Sequence, residues 1–171
     1  MANGSGGFQY LTLEVKRRLA APVGHFTFWA YLVAGIVGAS AFGVWYELLP
    51  LLLGRHGSNE AVFTALLTFF PALAGSSALQ LVFDDAAKPM RAFAIVLILI
   101  FFGFAVWLGF ARPTSLGIAY FCAGLACLLA IFVWWITSGQ DPAFRDNVDD
   151  TSPLGGQLSD ELNGDLKGFK G

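Results

Sequence analysis

Apolar residues run along this chain in four long blocks, at about residues 26–49, 61–83, 92–110 and 116–136, separated by short polar turns. Each block is close to the ~20 residues a helix needs to cross a ~30 Å hydrocarbon core, so the pattern predicts four membrane-spanning α-helices. Ahead of them, Phe8, Leu11, Val15 and Leu19 recur at helical spacing, with Glu14, Lys16 and Arg17 elsewhere around the turn. That is the pattern of an N-terminal amphipathic helix lying in the headgroup layer with its apolar side down. A basic cluster that only fixes topology is the other reading of the same residues. Pro22 and Gly24 end this helix before the first span.

The second block is the most informative. Residues 64–80 read TALLTFFPALAGSSALQ, and a helix that only had to sit in lipid would not need this polarity. Thr64, Thr68, Ala72, Ser76 and Gln80 stand four apart, forming a row that drifts by about 40° per step at ~3.6 residues per turn. Leu66, Phe70, Leu73 and Leu81 fall on the other side. The expectation is a two-sided helix, with its large apolar side toward lipid and its hydroxyl row toward a pore or cavity. Pro71 removes a backbone donor, and with Gly75 it marks an expected kink whose freed carbonyls the nearby hydroxyls can satisfy.

The other blocks have simpler patterns. Gly35, Ala39 and Gly43 form a four-residue row of small side chains, which in lipid allows close approach of a second helix from the same or a neighbouring subunit. The third block is almost wholly large and apolar and reads as the most lipid-exposed. Ala119, Ala123, Ala126 and Ala130 give the fourth an inward-packing face. Trp29 and Tyr31, Trp45 and Tyr46, and Trp134 and Trp135 mark the membrane interfaces.

Composition reinforces this layout. The 171 residues are 56% hydrophobic and only 13% charged, against about 25% charged in an ordinary soluble domain. Lys16, Arg17, Arg18, Lys88, Arg91 and Arg145 fall on one side of the spans, and Arg55 and Arg112 on the other. The positive-inside rule then places both termini in the cytoplasm of a bacterial inner membrane protein. No cleavable leader is visible, and the first span reads as an uncleaved anchor. The division is a cytoplasmic segment at 1–24, a four-helix membrane domain at 25–138, and a flexible acidic tail at 139–171 with seven acids against three bases. Such a tail has too little apolar surface to fold alone. Leu158, Leu162, Leu166 and Phe169 are spaced to form a helix on a cytosolic protein partner, with Asp84 and Asp85 of the second turn as further docking residues. A plain solvated tail and turn remain the alternative.

Candidate chemistry is sparse. Glu47 is the one acid inside a predicted span, beside Trp45 and Tyr46. It is a candidate cation or proton site, or else an acid that snorkels or pairs with Arg55 or Arg112. His25 and His56 lie at span ends and carry no functional expectation. Cys122 and Cys127 are five apart, make no CxxC pair, and read as packing residues. With neither His nor Met deep in a span, no buried ionisable cluster and no phosphate-binding loop, the sequence points away from an enzyme, a cofactor, a metal site or direct nucleic-acid binding.

The span layout, the polar second span FFPALAGSSALQ and the charged turn DDAAKPMR resemble those of small four-span membrane subunits of bacterial anti-phage defence systems, the membrane component of Kiwa in particular. The resemblance implies a membrane sensor partnered by a cytosolic, DNA-binding effector, and carries over no functional residue. Two functions stay open. One is a non-enzymatic homo-oligomeric sensor, scaffold or pore-like subunit that recruits a cytosolic partner. The other is a small dimeric transporter using the second-span row as its path.

Overall fold

The structure, a computed structural model, describes residues 6–83, 87–111 and 115–146. The expected docking residues Asp84, Asp85, Leu158, Leu162, Leu166 and Phe169 lie outside them. Among the described residues the fold is entirely helical. Helix α1 is Gly7–Ala20, α2 is Phe26–Ala30, α3 is Phe42–Leu52, α4 is Asn59–Phe83, α5 is Lys88–Ala111 and α6 is Leu116–Ser138. A π-helical segment, Tyr31–Ser40, joins α2 to α3, and a 3-10 turn, Pro142–Phe144, follows α6. Three helices among the described residues are long and apolar enough to cross a membrane, or four if the bent pair Phe26–Ser40 and Phe42–Leu52 counts as one span.

Helix α4 is the centre of the bundle and packs along both α5 and α6, which barely meet each other. Phe70, Leu73 and Ala74 of α4 join Phe101 of α5 and Ala126, Cys127 and Ala130 of α6 in one core. Ala119, Ala123, Ala126 and Ala130 are all buried, so the small face of α6 packs inward as its spacing predicts. Only 17% of α5's apolar stretch is buried, against 39% for α4 and for α6, which makes it the most outward-facing of the three. Ser58 starts α4 by accepting from the Ala61 N–H at 3.4 Å, and Ser115 caps α6. Gly54, at φ 65°, lets α3 end in a left-handed turn that few other residues adopt.

The first apolar block is not one continuous α-helix. Its middle winds as a π-helix, and at Ala41 it bends by 69°. Five of the ten residues in Tyr31–Ser40 are Gly, Ala or Ser, so few large side chains are available to lock the tighter α winding by packing. The Trp45 indole N–H donates to the Val37 carbonyl at 2.7 Å across the bend, satisfying a backbone group that the change of winding leaves exposed. By contrast α4 runs as one helix through Pro71 and Gly75. The hydroxyls nearby do not serve the Leu67 carbonyl that Pro71 leaves without its usual donor. Thr68 bonds Thr64 and Ala65, and Ser76 bonds Leu73. The break in helical winding falls in the first apolar block.

The end of the bundle formed by Phe83, Lys88 and Ser138, called the base below, is tied by polar and aromatic contacts. Helix α1 packs there on α5 and α6. It does so with Glu14 and Arg18 buried, Leu11 beside them on Ala78, Leu81, Met90 and Ala94, and Phe8 exposed. The expected apolar face is therefore rotated: the Glu14–Arg18 pair turns toward protein. Gly139 makes this docking possible, because a Cβ there would lie 2.1 Å from the Arg18 carbonyl oxygen. The chain also stays ordered past Gly139. Phe144 packs on Phe28, Tyr31 and Trp134, and Phe28 stacks on Trp134 at 5.1 Å. Trp134 is buried in this cluster, where the sequence suggests an exposed interface anchor.

Candidate functional site

The hydroxyl row of α4 points away from the core. Phe70, Leu73 and Leu81, expected to face lipid, are buried among α5 and α6, while Thr64, Thr68, Ala72, Ser76 and Gln80 are exposed. The two-sided helix is present: its large apolar side packs on α5 and α6 and does not face outward, while its hydroxyl row lies on the outer side. The large side chains of α4 fill the space beside the small alanine face of α6, and their many weak contacts hold the helices together. The smaller polar side chains are left on the outside.

That outer face borders a groove beneath the bent first span. A cavity of about 500 Å³ is lined by Ser40, Gly43 and Val44 on one wall and by Thr68, Ala72 and Ser76 on the other. It continues into a second of about 570 Å³, where Glu47 and Tyr46 meet Thr64 and Thr68. The 69° bend helps to form this groove, since it carries the first half of the span away from the line of α3. Glu47 is half-buried here and its carboxylate makes no hydrogen bond or ion pair among the described residues. The pairing with Arg55 is not made, and Arg112 lies outside the described residues.

Within the groove each hydroxyl proton is directed into its own helix. Thr64 Oγ1 donates to the Glu60 carbonyl at 2.9 Å, Thr68 Oγ1 to Ala65 at 3.0 Å and Ser76 Oγ to Leu73 at 3.1 Å. Their lone pairs remain to accept a hydrogen bond from outside. The groove therefore offers a line of acceptors ending in one carboxylate, a surface suited to N–H or O–H donors or to a cation.

The structure divides the expected site residues. Thr64, Thr68, Ser76, Glu47 and Gly43 share the groove, whereas Gln80 sits apart in a polar cavity at the base with Arg18, Thr137, Gln140 and Asp141. In the packing row Gly35, Ala39 and Gly43, Ala39 is exposed, a Cβ at Gly43 would meet nothing within 4 Å, and one at Gly35 would meet only Tyr31 of its own segment. The π winding changes which residues share a face, so a row spaced for an α-helix no longer lines up. Ser77, beside the row, is buried with its hydroxyl unpartnered.

No protein-family model, curated protein or solved structure matches this chain.

The base holds the polar residues that the sequence reading passed over. Arg18 Nε donates to Glu14 at 2.9 Å and its Nη1 to the Thr137 carbonyl at 3.3 Å, while Arg17 Nη2 donates to Gln140 at 2.8 Å. The Asp146 carboxylate accepts from the Phe26 and Thr27 amides and from the Thr27 hydroxyl. The Asp146 amide donates to His25 Nδ1 at 3.2 Å. The Thr27 hydroxyl chiefly, helped by those amides and His25, holds the Asp146 carboxyl below its ordinary range against the opposing effect of desolvation. The Glu14–Arg18 spacing of four was a readable signal for an ion pair. Asp146 gave none, because its partners lie about 120 positions away.

Proposed function

We propose that this chain is a non-enzymatic, multi-pass subunit of a bacterial inner membrane, with both termini cytoplasmic, that works by assembling with copies of itself. The observation that carries the reading is the exposed Thr64, Thr68 and Ser76 row facing Ser40, Gly43 and Glu47 across an open groove. Polar groups turned to acyl chains are costly, whereas small and hydroxyl-bearing residues are the usual material of helix–helix contacts in lipid. A second copy laid along this groove would cover the row and convert it into an intersubunit cavity. The base and the residues after Asp146 then serve as the platform for a cytosolic protein partner, in keeping with a sensor, scaffold or pore-like role in anti-phage defence.

Thr68→Cys tests the assembly directly in native membranes. Cross-linked dimers or higher ladders are expected, with the cysteine shielded from acyl-chain-borne probes. A monomer labelled freely from the lipid would remove the reading.

One observation favours a transporter as the second reading: Glu47 faces the same groove as Thr64 and Thr68. Glu47→Gln distinguishes the two. Lost flux with intact assembly supports transport, and unchanged behaviour in both supports the assembly subunit.

A further inference from the structure

The cavity at the base, of about 410 Å³, is lined by Arg18, Gln80, Thr137, Gln140 and Asp141. It is far larger than the ~10–15 Å³ that a single water requires. Arg18 enters it as a built element: its side chain is only 9% exposed and is held by Glu14 and by the Thr137 carbonyl. Those bonds use Nε and Nη1, and leave Nη2 without a partner among the described residues. Gln140 spends its carbonyl on Arg17, which leaves its amide N–H groups, and the Gln80 amide has no partner at all among the described residues. Asp141 accepts from the Ala143 amide through Oδ1 and keeps Oδ2. The cavity thus presents several N–H donors together with one carboxylate oxygen.

Among the described residues, Arg18 and Asp141 are the charged groups lining the cavity, and Glu14 and Arg17 pair beside them, so these four charges balance. A net-anionic ligand would leave excess negative charge, and a simple cation would leave the donors unused. The complementary ligand is a zwitterion with a phosphate at one end and an N–H-bearing cation at the other. Gln80 lies three residues from the end of α4 and Thr137 one from the end of α6. At ~1.5 Å rise per residue this places the cavity within about 5 Å of the bundle's end, at headgroup depth if the helices span a bilayer.

We propose that this cavity binds the headgroup of an ethanolamine phospholipid. Arg18, Gln80 and Gln140 hold the phosphate, and Asp141 holds the primary ammonium. The inference rests on the membrane reading above. Choline carries the same charges but has no N–H to donate to Asp141, and glycerol headgroups lack the cation.

The test is native mass spectrometry of the full chain in mild detergent, titrated with phosphatidylethanolamine, phosphatidylcholine and phosphatidylglycerol of matched acyl chains. Ethanolamine lipid is expected to be retained about tenfold more than either, the size of one charge-assisted hydrogen bond. Gln80→Leu, at an exposed position with no internal bond, is expected to weaken that retention several-fold at unchanged helicity and thermal unfolding. Asp141→Asn, which keeps an oxygen for the Ala143 amide, is expected to abolish the preference over choline and to improve glycerol-lipid binding. Equal retention of all three lipids by the unmodified chain, or unaltered preference in both variants, overturns the proposal. Competition by soluble glycerophosphoethanolamine would assign the same site to a free ester, and its failure to compete assigns it to the lipid. Release of the chain from membranes by alkaline carbonate would instead remove the membrane reading, leaving headgroup binding to be read with the soluble ester.

Discussion

Two sides of α4 meet different fates although they share one helix. Phe70, at 0% exposure, and Leu73 and Leu81 lock it to α5 and α6, and that side is closed within a single chain. Thr64, Thr68 and Ser76, a third of a turn or more from Phe70, border a groove whose opposite wall is a bent, π-wound segment seated loosely beside them. The closed side has side chains large enough to make many dispersion contacts, each weak and together decisive. The open side has small residues whose best contacts come only when another surface is laid on them. Fold stability is thus concentrated on one face of α4, and the other is the face we propose for association.

That contrast can be broken experimentally. The largest effect is expected from the closed side: Phe70→Ala should cost about 3–5 kcal/mol through an unfilled core cavity. Thr68→Val, nearly isosteric on the open side, should change monomer stability by no more than about 0.5 kcal/mol. Thermal or denaturant unfolding of the two in the same detergent reads the difference, and equal losses would mean the two faces are not distinct. At the base, Gly139→Ala places a methyl against the Arg18 carbonyl and should cost about 1–3 kcal/mol by overpacking. Limited proteolysis should then release α1 while leaving α4–α6 protected.

The smallest effect is a pH dependence. Because the Asp146 carboxyl is held below its ordinary value in the folded chain, the stabilisation it brings is fully present above the ordinary carboxylate range and fades as pH falls below it. Asp146→Asn should flatten that acid-side change, followed by Trp fluorescence of the Trp134–Trp135 cluster. An acid response identical in the variant would assign the effect to another carboxylate.

Much of this architecture was legible in the residues. The lengths of the apolar blocks marked α4, α5 and α6 closely, and alanine spacing gave the buried face of α6 correctly. Periodicity likewise revealed that α4 has two chemically different sides. It could not say which side faces inward, because a hydroxyl row suits an enclosed cavity and a contact surface equally well. That Phe70 and not Thr68 faces inward was decided by how α5 and α6 pack on α4: the small alanine face of α6 leaves room for the large side chains of α4.

The first span shows the same limit more sharply. A row such as Gly35, Ala39 and Gly43 has meaning only if the winding is α, and local sequence favours π over α by too little to read. The base was beyond pattern altogether. Arg18 to Thr137 and Asp146 to Thr27 join residues roughly 120 positions apart, so no window along the chain contains both partners. What the sequence by itself determined is what each helix is made of and how long it runs, since these follow from local periodicity and transfer to an apolar phase. Which faces meet, where the chain bends, and which charges share a cavity were decided only when distant segments competed for the same space.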